Sequence, residues 1–147
     1  MIVESIEIDR PPEEVFAYLD QLERHGEWQQ DIVSSRRETP GPTTVGTRVT
    51  DTRKVPGGPR DVTYEVTEHD PPRRTAFRGL NGPVRPVGTA TIEPLDEGRR
   101  SRVTLEFDLV GHGLIGKLVA PMARRQAAKT IPRDQQTLKQ KLESGVS

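Results

Sequence analysis

The stretch "DLVGHGLIGKLVAPMARR", residues 108–125, carries Gly111, Gly113 and Gly116 in the spacing G-x-G-x-x-G. The run before it alternates like a β-strand, and the residues after it fall at helical spacing. A glycine turn in that context is the fingerprint of a dinucleotide-binding unit, whose helix N-terminus meets the pyrophosphate. Such a unit also requires a second, parallel strand after the helix and an acidic residue to hold the ribose. Here no strand pattern follows, and the helical segment runs nearly to the end of the 147 residues. Asp134 stands at a suitable distance but inside that segment, behind Pro132. The glycines read instead as a sharp exit from the last strand into a long helix. No cofactor is expected at them.

Upstream of the turn the chain alternates repeatedly. "IVESIEID" places Ile2, Ile6 and Ile8 on one face, with Glu4 among them. "RPPEEVFAYLDQL" then changes period: Pro11 and Pro12 suit a first helical turn, Glu13 and Glu14 suit its positive end, and Val15, Phe16, Leu19 and Leu22 share a face. Six further strands are expected at "IVSSRRE", "VGTRVTDTRKV", "RDVTYEVTEHD", "RRTAFRG", "RPVGTATIEPL" and "SRVTLEFDLV", separated by Pro- and Gly-rich turns. The connections are too short for crossover helices, so consecutive strands should pair antiparallel in a seven-stranded meander. Its apolar face needs a cover. The segment from about Leu114 to Glu143 supplies one, with Leu114, Ile115, Leu118, Val119, Met122, Ile131, Leu138 and Leu142 as the expected stripe and bends or breaks at Pro121 and Pro132.

Composition bounds the function. The length suits one domain, residues 1–147, with a single core. Twenty-two basic residues balance 22 acidic ones, so no global field draws the chain to nucleic acid or an anionic membrane. There is no cysteine, which excludes disulfides, thiolate metal sites and cysteine nucleophiles. His25, His69 and His112 show no metal-ligand spacing, and no metal is expected. Neither a signal peptide nor a membrane-spanning segment is evident, and the expected location is the cytoplasm. No nucleic-acid partner and no stable membrane insertion are expected; the chain should be a monomer or homodimer.

The order of strand, short helical region, six strands and long terminal helix resembles the START-like superfamily, also called the Bet v 1-like or helix-grip fold. The subgroup it resembles is that of the polyketide cyclase/dehydrase and lipid-transport-like (SRPBCC) proteins. The resemblance rests on "IEIDRPPEEVFAYLDQLERHGEW", "VTYEVTEHDPPRRTAFRG", "SRVTLEFDLVGHGLIGKLVAP" and "LKQKLE", which together span nearly the whole chain. It implies an α+β fold in which a curved, seven-stranded antiparallel sheet grips the C-terminal helix. It also implies a cavity between them that takes a small hydrophobic or amphipathic molecule, such as a lipid, quinone or polyketide.

The candidate pocket residues are Glu4, Trp28, Tyr64, Phe77, Arg78, Phe107, His112, Leu118 and Met122. Trp28, the single tryptophan, either pins the short helices to the sheet or lines the mouth. Tyr64 is either a bonded core tyrosine or a ligand hydrogen-bonder. Phe77 and Phe107 belong to the core or the cavity wall. Glu4 reaches water at a strand end, meets an arginine, or acts as a general base. Arg78 points in or out according to the parity of Phe77. His112 is the best placed histidine for chemistry, although surface or capping roles also suit it. Three function classes follow: a carrier or sensor, an aromatase/cyclase or dehydratase using Glu4, Tyr64, Arg78 and His112, and a protein-interaction scaffold.

Overall fold

The computed structural model describes residues 1–145. Alternating side chains produce seven strands: β1 (Ile2–Ile8), β2 (Ile32–Arg37), β3 (Arg48–Val55), β4 (Gly58–Asp70), β5 (Arg74–Gly79), β6 (Val84–Leu95) and β7 (Arg100–Gly111). Every neighbouring pair is antiparallel. β2 to β7 form the expected meander, but β1 pairs with β7, giving the order β1-β7-β6-β5-β4-β3-β2. The expectation of seven consecutive strands is corrected at that one join. The cause is the connection after β1: α1 (Pro12–Leu19) packs on β6 and β7, and a 3-10 turn (Leu22–Glu27) packs on β2, so the chain crosses from one edge to the other.

α1 forms where the prolines end and apolar residues take helical spacing, and it buries Val15, Phe16, Tyr18 and Leu19. These join Ile8, Ile92, Val103, Leu138 and Leu142 in the main core. Each such side chain contributes about 1.5–3 kcal/mol when removed from water. A second cluster, Leu22, Val49, Tyr64 and Val66 with Phe77 against it, lies under the 3-10 turn.

α2 (Gly113–Glu143) runs unbroken through Pro121 and Pro132. The expected break is absent. Each proline forfeits one backbone hydrogen bond, and burial of Ala120, Ile131 and Leu138 holds the helix across both positions. Its C-terminal half grips the sheet edge: Gln135 Nε2 donates to the Glu4 carbonyl at 3.1 Å, and Lys139 Nζ to the Glu7 carbonyl at 2.7 Å. Arg10 Nη2 donates to the Glu143 carbonyl at 2.9 Å, which ties the two ends of the chain together.

The N-terminal half of α2 departs from expectation. Leu114, Ile115, Leu118, Val119 and Met122 do not cover the sheet; their exposures run from 38 to 79 %. Gly116 and Ala120 are the buried positions there. A Cβ on Gly116 would collide with the Pro83 carbonyl oxygen, and one on Gly111 would meet the Gly116 carbonyl oxygen at 2.5 Å. Backbone packs on backbone at this corner, so the smallest residues face the sheet and the large ones turn outward. Gly113 adopts φ +72°, which turns the chain out of β7.

Candidate functional site

Register assembles the site. Phe77 of β5 stands opposite Gly88 of β6, which stands opposite Phe107 of β7. Because Gly88 has no side chain, the Phe77 ring lies across it; an added Cβ would meet that ring at 2.6 Å. Tyr64 of β4 contacts Phe77 edge-on at 5.5 Å between ring centroids, and Phe77 stands 6.4 Å from Phe107. Tyr64, Phe77 and Phe107 thus form an aromatic row across the inner face of the sheet. Phe77, Phe107, Val62, Leu105 and Leu109 are only half-buried, so solvent reaches this row. The row is a partly open apolar strip. Two open clefts of the surface, about 450 and 400 Å3, lie elsewhere: one between α1 and Arg37, the other between β1 and Lys139.

A polar group adjoins the row. Alternation along β3 carries Val49 inward and Asp51 with it, leaving Asp51 2 % exposed. Ser35 Oγ donates to Asp51 Oδ1 at 2.7 Å, and Arg53 Nη2 lies 3.6 Å from Asp51 Oδ2. Arg53 also donates to Gln29 Oε1 at 2.6 Å. Tyr64 is 7 % exposed, and its buried hydroxyl has no hydrogen-bond partner among the described residues. Burial pushes its pKa far above the ordinary value, and the Asp51 charge adds to the effect.

The 3-10 turn supplies His25 and is followed by Trp28, and their ring centroids are 5.2 Å apart. His25 Nε2 lies 2.7 Å from the Leu19 carbonyl oxygen. A carbonyl only accepts, so Nε2 carries the proton and neutral His25 keeps Nδ1 as an acceptor. Burial lowers the His25 pKa, opposed by the Leu19 hydrogen bond and the Asp51 charge. Trp28 packs against the main core, and its buried Nε1 has no partner among the described residues. Of these unpaired buried donors, Tyr64 OH lies beside the aromatic row, whereas Trp28 Nε1 lies against the main core. Asp134 on α2 receives the Gln30 N–H at 3.4 Å, and burial raises its pKa.

The other sequence candidates do not gather here. Arg78 is exposed and pairs with Glu65 at 3.4 Å, because Phe77 takes the inward parity. Glu4 shares the Ile2, Ile6 and Ile8 side, half-buried, opposite Leu105 and so next to the Phe107 end of the row, but four strands, about 19 Å, from Tyr64 on β4. His112 is exposed at the start of α2, where its N–H donates to the Pro83 carbonyl at 2.7 Å. Leu118 and Met122 face solvent for the packing reason given above. Sequence reasoning missed His25, Asp51 and Arg53. The parity of Asp51 with Val49 in "RVTDTRKV" was the available signal for one of them.

The family model described as "Polyketide cyclase / dehydrase and lipid transport" matches residues 2–143. The chain belongs to this family. An uncharacterized protein of Mycobacterium tuberculosis is 28 % identical over 121 residues, covering 82 % of this chain and 83 % of its own. A START superfamily protein from Mycobacterium smegmatis superposes with a TM-score of 0.78 at 13 % identity, covering 97 % of both chains. The Zhui aromatase/cyclase from Streptomyces sp. R1128 superposes at 0.75 with 17 % identity, covering 99 % of this chain and 92 % of its own. These superpositions establish the helix-grip fold.

Proposed function

We propose that the protein binds a small, ring-bearing amphipathic molecule along the Tyr64–Phe77–Phe107 row and acts as its carrier or sensor. The observation that carries this reading is the Tyr64 hydroxyl, buried without a partner beside a half-buried aromatic row. An unpaired buried hydroxyl costs about 1–3 kcal/mol, which a ligand acceptor such as a ring carbonyl offsets. The rings supply stacking area. Membership of a family described by cyclase, dehydrase and lipid-transport members supports a ligand of this size and polarity.

Trp28 is the only tryptophan, so its emission serves as the intrinsic probe, with the melting temperature as a second readout. Titration with quinones, flavonoids, aromatic polyketides and fatty acids should show saturable quenching by ring-bearing carbonyl compounds. Tyr64→Phe should weaken that binding about 5-fold, the loss of roughly 1 kcal/mol. If no compound alters either the emission or the melting temperature, or if Tyr64→Phe binds as tightly as wild type, the reading is wrong.

A second reading, cyclisation or dehydration of a carbonyl substrate, draws on neutral His25 as a base beside Asp51 and Arg53, the polar group that adjoins the row. It predicts turnover of a bound polyketide analogue that His25→Gln abolishes while binding persists. Equal product with wild type and variant removes it.

A further inference from the structure

Five large apolar side chains on the first turns of α2 face water. A contiguous patch of that size is an interaction site by default. From Leu114, steps of four, four, three and four residues lead through Leu118 and Met122 to Arg125 and Lys129, so these five share one helix face. The apolar part spans about 12 Å, and the basic part extends it by about 10 Å. No acidic residue occurs from Val110 through Arg133. The ion pairs of α2 are Arg124 with Asp108, Arg133 with Asp31 and Asp134, and Lys139 with Glu143. Exposed Lys117, Arg125 and Lys129 are thus unpaired among the described residues. A chain of zero net charge has segregated cations and apolar bulk onto one end of one helix.

We propose that this face docks on a lipid bilayer bearing anionic headgroups. Leu114, Ile115, Leu118 and Met122 enter the boundary between headgroups and acyl chains, while Arg125 and Lys129 lie against the lipid phosphates. The contact is peripheral, since no helix among the described residues is long and apolar enough to cross a membrane. A second copy of the chain fits the face less well. Packed antiparallel, it would bury Arg125 and Lys129 against apolar side chains; packed parallel, it would oppose like charges.

Co-sedimentation tests this with two vesicle preparations, pure phosphatidylcholine and phosphatidylcholine with one third phosphatidylglycerol. The full chain should bind the anionic vesicles preferentially, and raised salt should weaken binding. Each cation near an anionic surface adds about 1 kcal/mol, so Arg125→Gln with Lys129→Gln should reduce partitioning about 30-fold. Leu118→Asp with Met122→Asp should abolish it. All four positions are exposed, and circular dichroism verifies that each variant is folded. The proposal fails if wild type ignores anionic vesicles, or if the neutralised variant binds them equally well. It also fails if wild type self-associates in size-exclusion chromatography and Leu118→Asp disperses it, since a second copy then covers the face.

Discussion

Gly116→Ala sets two effects of opposite sign against each other. In an exposed helix interior the change stabilises by about 1 kcal/mol, because alanine loses less backbone entropy than glycine. At Gly116 the new Cβ would collide with the Pro83 carbonyl oxygen, stand 3.0 Å from the Pro83 carbonyl carbon and 3.3 Å from that of Gly111. All three obstacles are backbone, so no side chain can rotate aside. Overpacking of this kind costs about 3 kcal/mol where the surroundings cannot yield. The net expectation is a loss of about 2 kcal/mol. Unfolding entropy near 2.1 cal/mol/K per residue, over this chain length, converts that to a fall in Tm of roughly 6 °C. Thermal melts followed at 222 nm measure it, with Ala128→Gly, at an exposed position of the same helix, as the reference for propensity alone. An unchanged or raised Tm for Gly116→Ala would show that α2 does not rest on the Pro83 turn, and the account of its outward-facing stripe would fall with it.

Other outcomes follow from the buried polar groups. The His25 pKa is lowered in the folded state, so the unfolded chain binds the extra proton first; the stability it contributes is complete above about 6.5 and is lost as pH falls below it. Tm should therefore drop on acidification from pH 7 to 5, and His25→Gln should flatten that part of the curve; an identical slope would refute the assignment. Asp51→Ala removes the partner of Ser35 and Arg53 and should cost about 3 kcal/mol in urea unfolding, whereas a loss below 1 kcal/mol would mean the pair is hydrated. Tyr64→Phe deletes an unpaired buried hydroxyl and should leave the ligand-free protein as stable as wild type or up to about 1 kcal/mol more so; marked destabilisation would reveal a partner for that hydroxyl.

Strand alternation made most of the sheet readable, since Val62, Tyr64 and Val66, or Val103, Leu105 and Phe107, declare one inner face by parity alone. The inward turn of Phe77, and with it the outward turn of Arg78, needed the opposite glycine: only the Phe77–Gly88 register explains why that ring lies flat inside. The first half of α2 misled for a related reason. Apolar residues at helical spacing normally mark the buried side. At this corner Gly116 fits because two backbones touch, and hydrophobicity carries no trace of a close approach between segments more than thirty residues apart. The polar group of His25, Asp51 and Arg53 is likewise a product of the 3-10 turn packing on β2, the neighbour of β3. Asp51 was visible in principle through Val49, with Arg53 two residues along the same face of β3, but its partner Ser35 becomes a neighbour only once β2 pairs with β3.

The join of β1 to β7 shapes how the chain reaches its fold. β1 is the first of the seven strands to be made, yet its partner residues, 101–107, lie on the last one. The Gln135 and Lys139 contacts that close its outer edge come later still. Ordering so long a loop before its contacts form slows folding. The meander from β2 to β7 can zip locally as it emerges, whereas β1 waits with an unpaired backbone and three isoleucines exposed. Nascent chains halted before residue 100 should therefore hold a partial sheet, with a free N-terminal strand open to chaperones and to pairing with other chains.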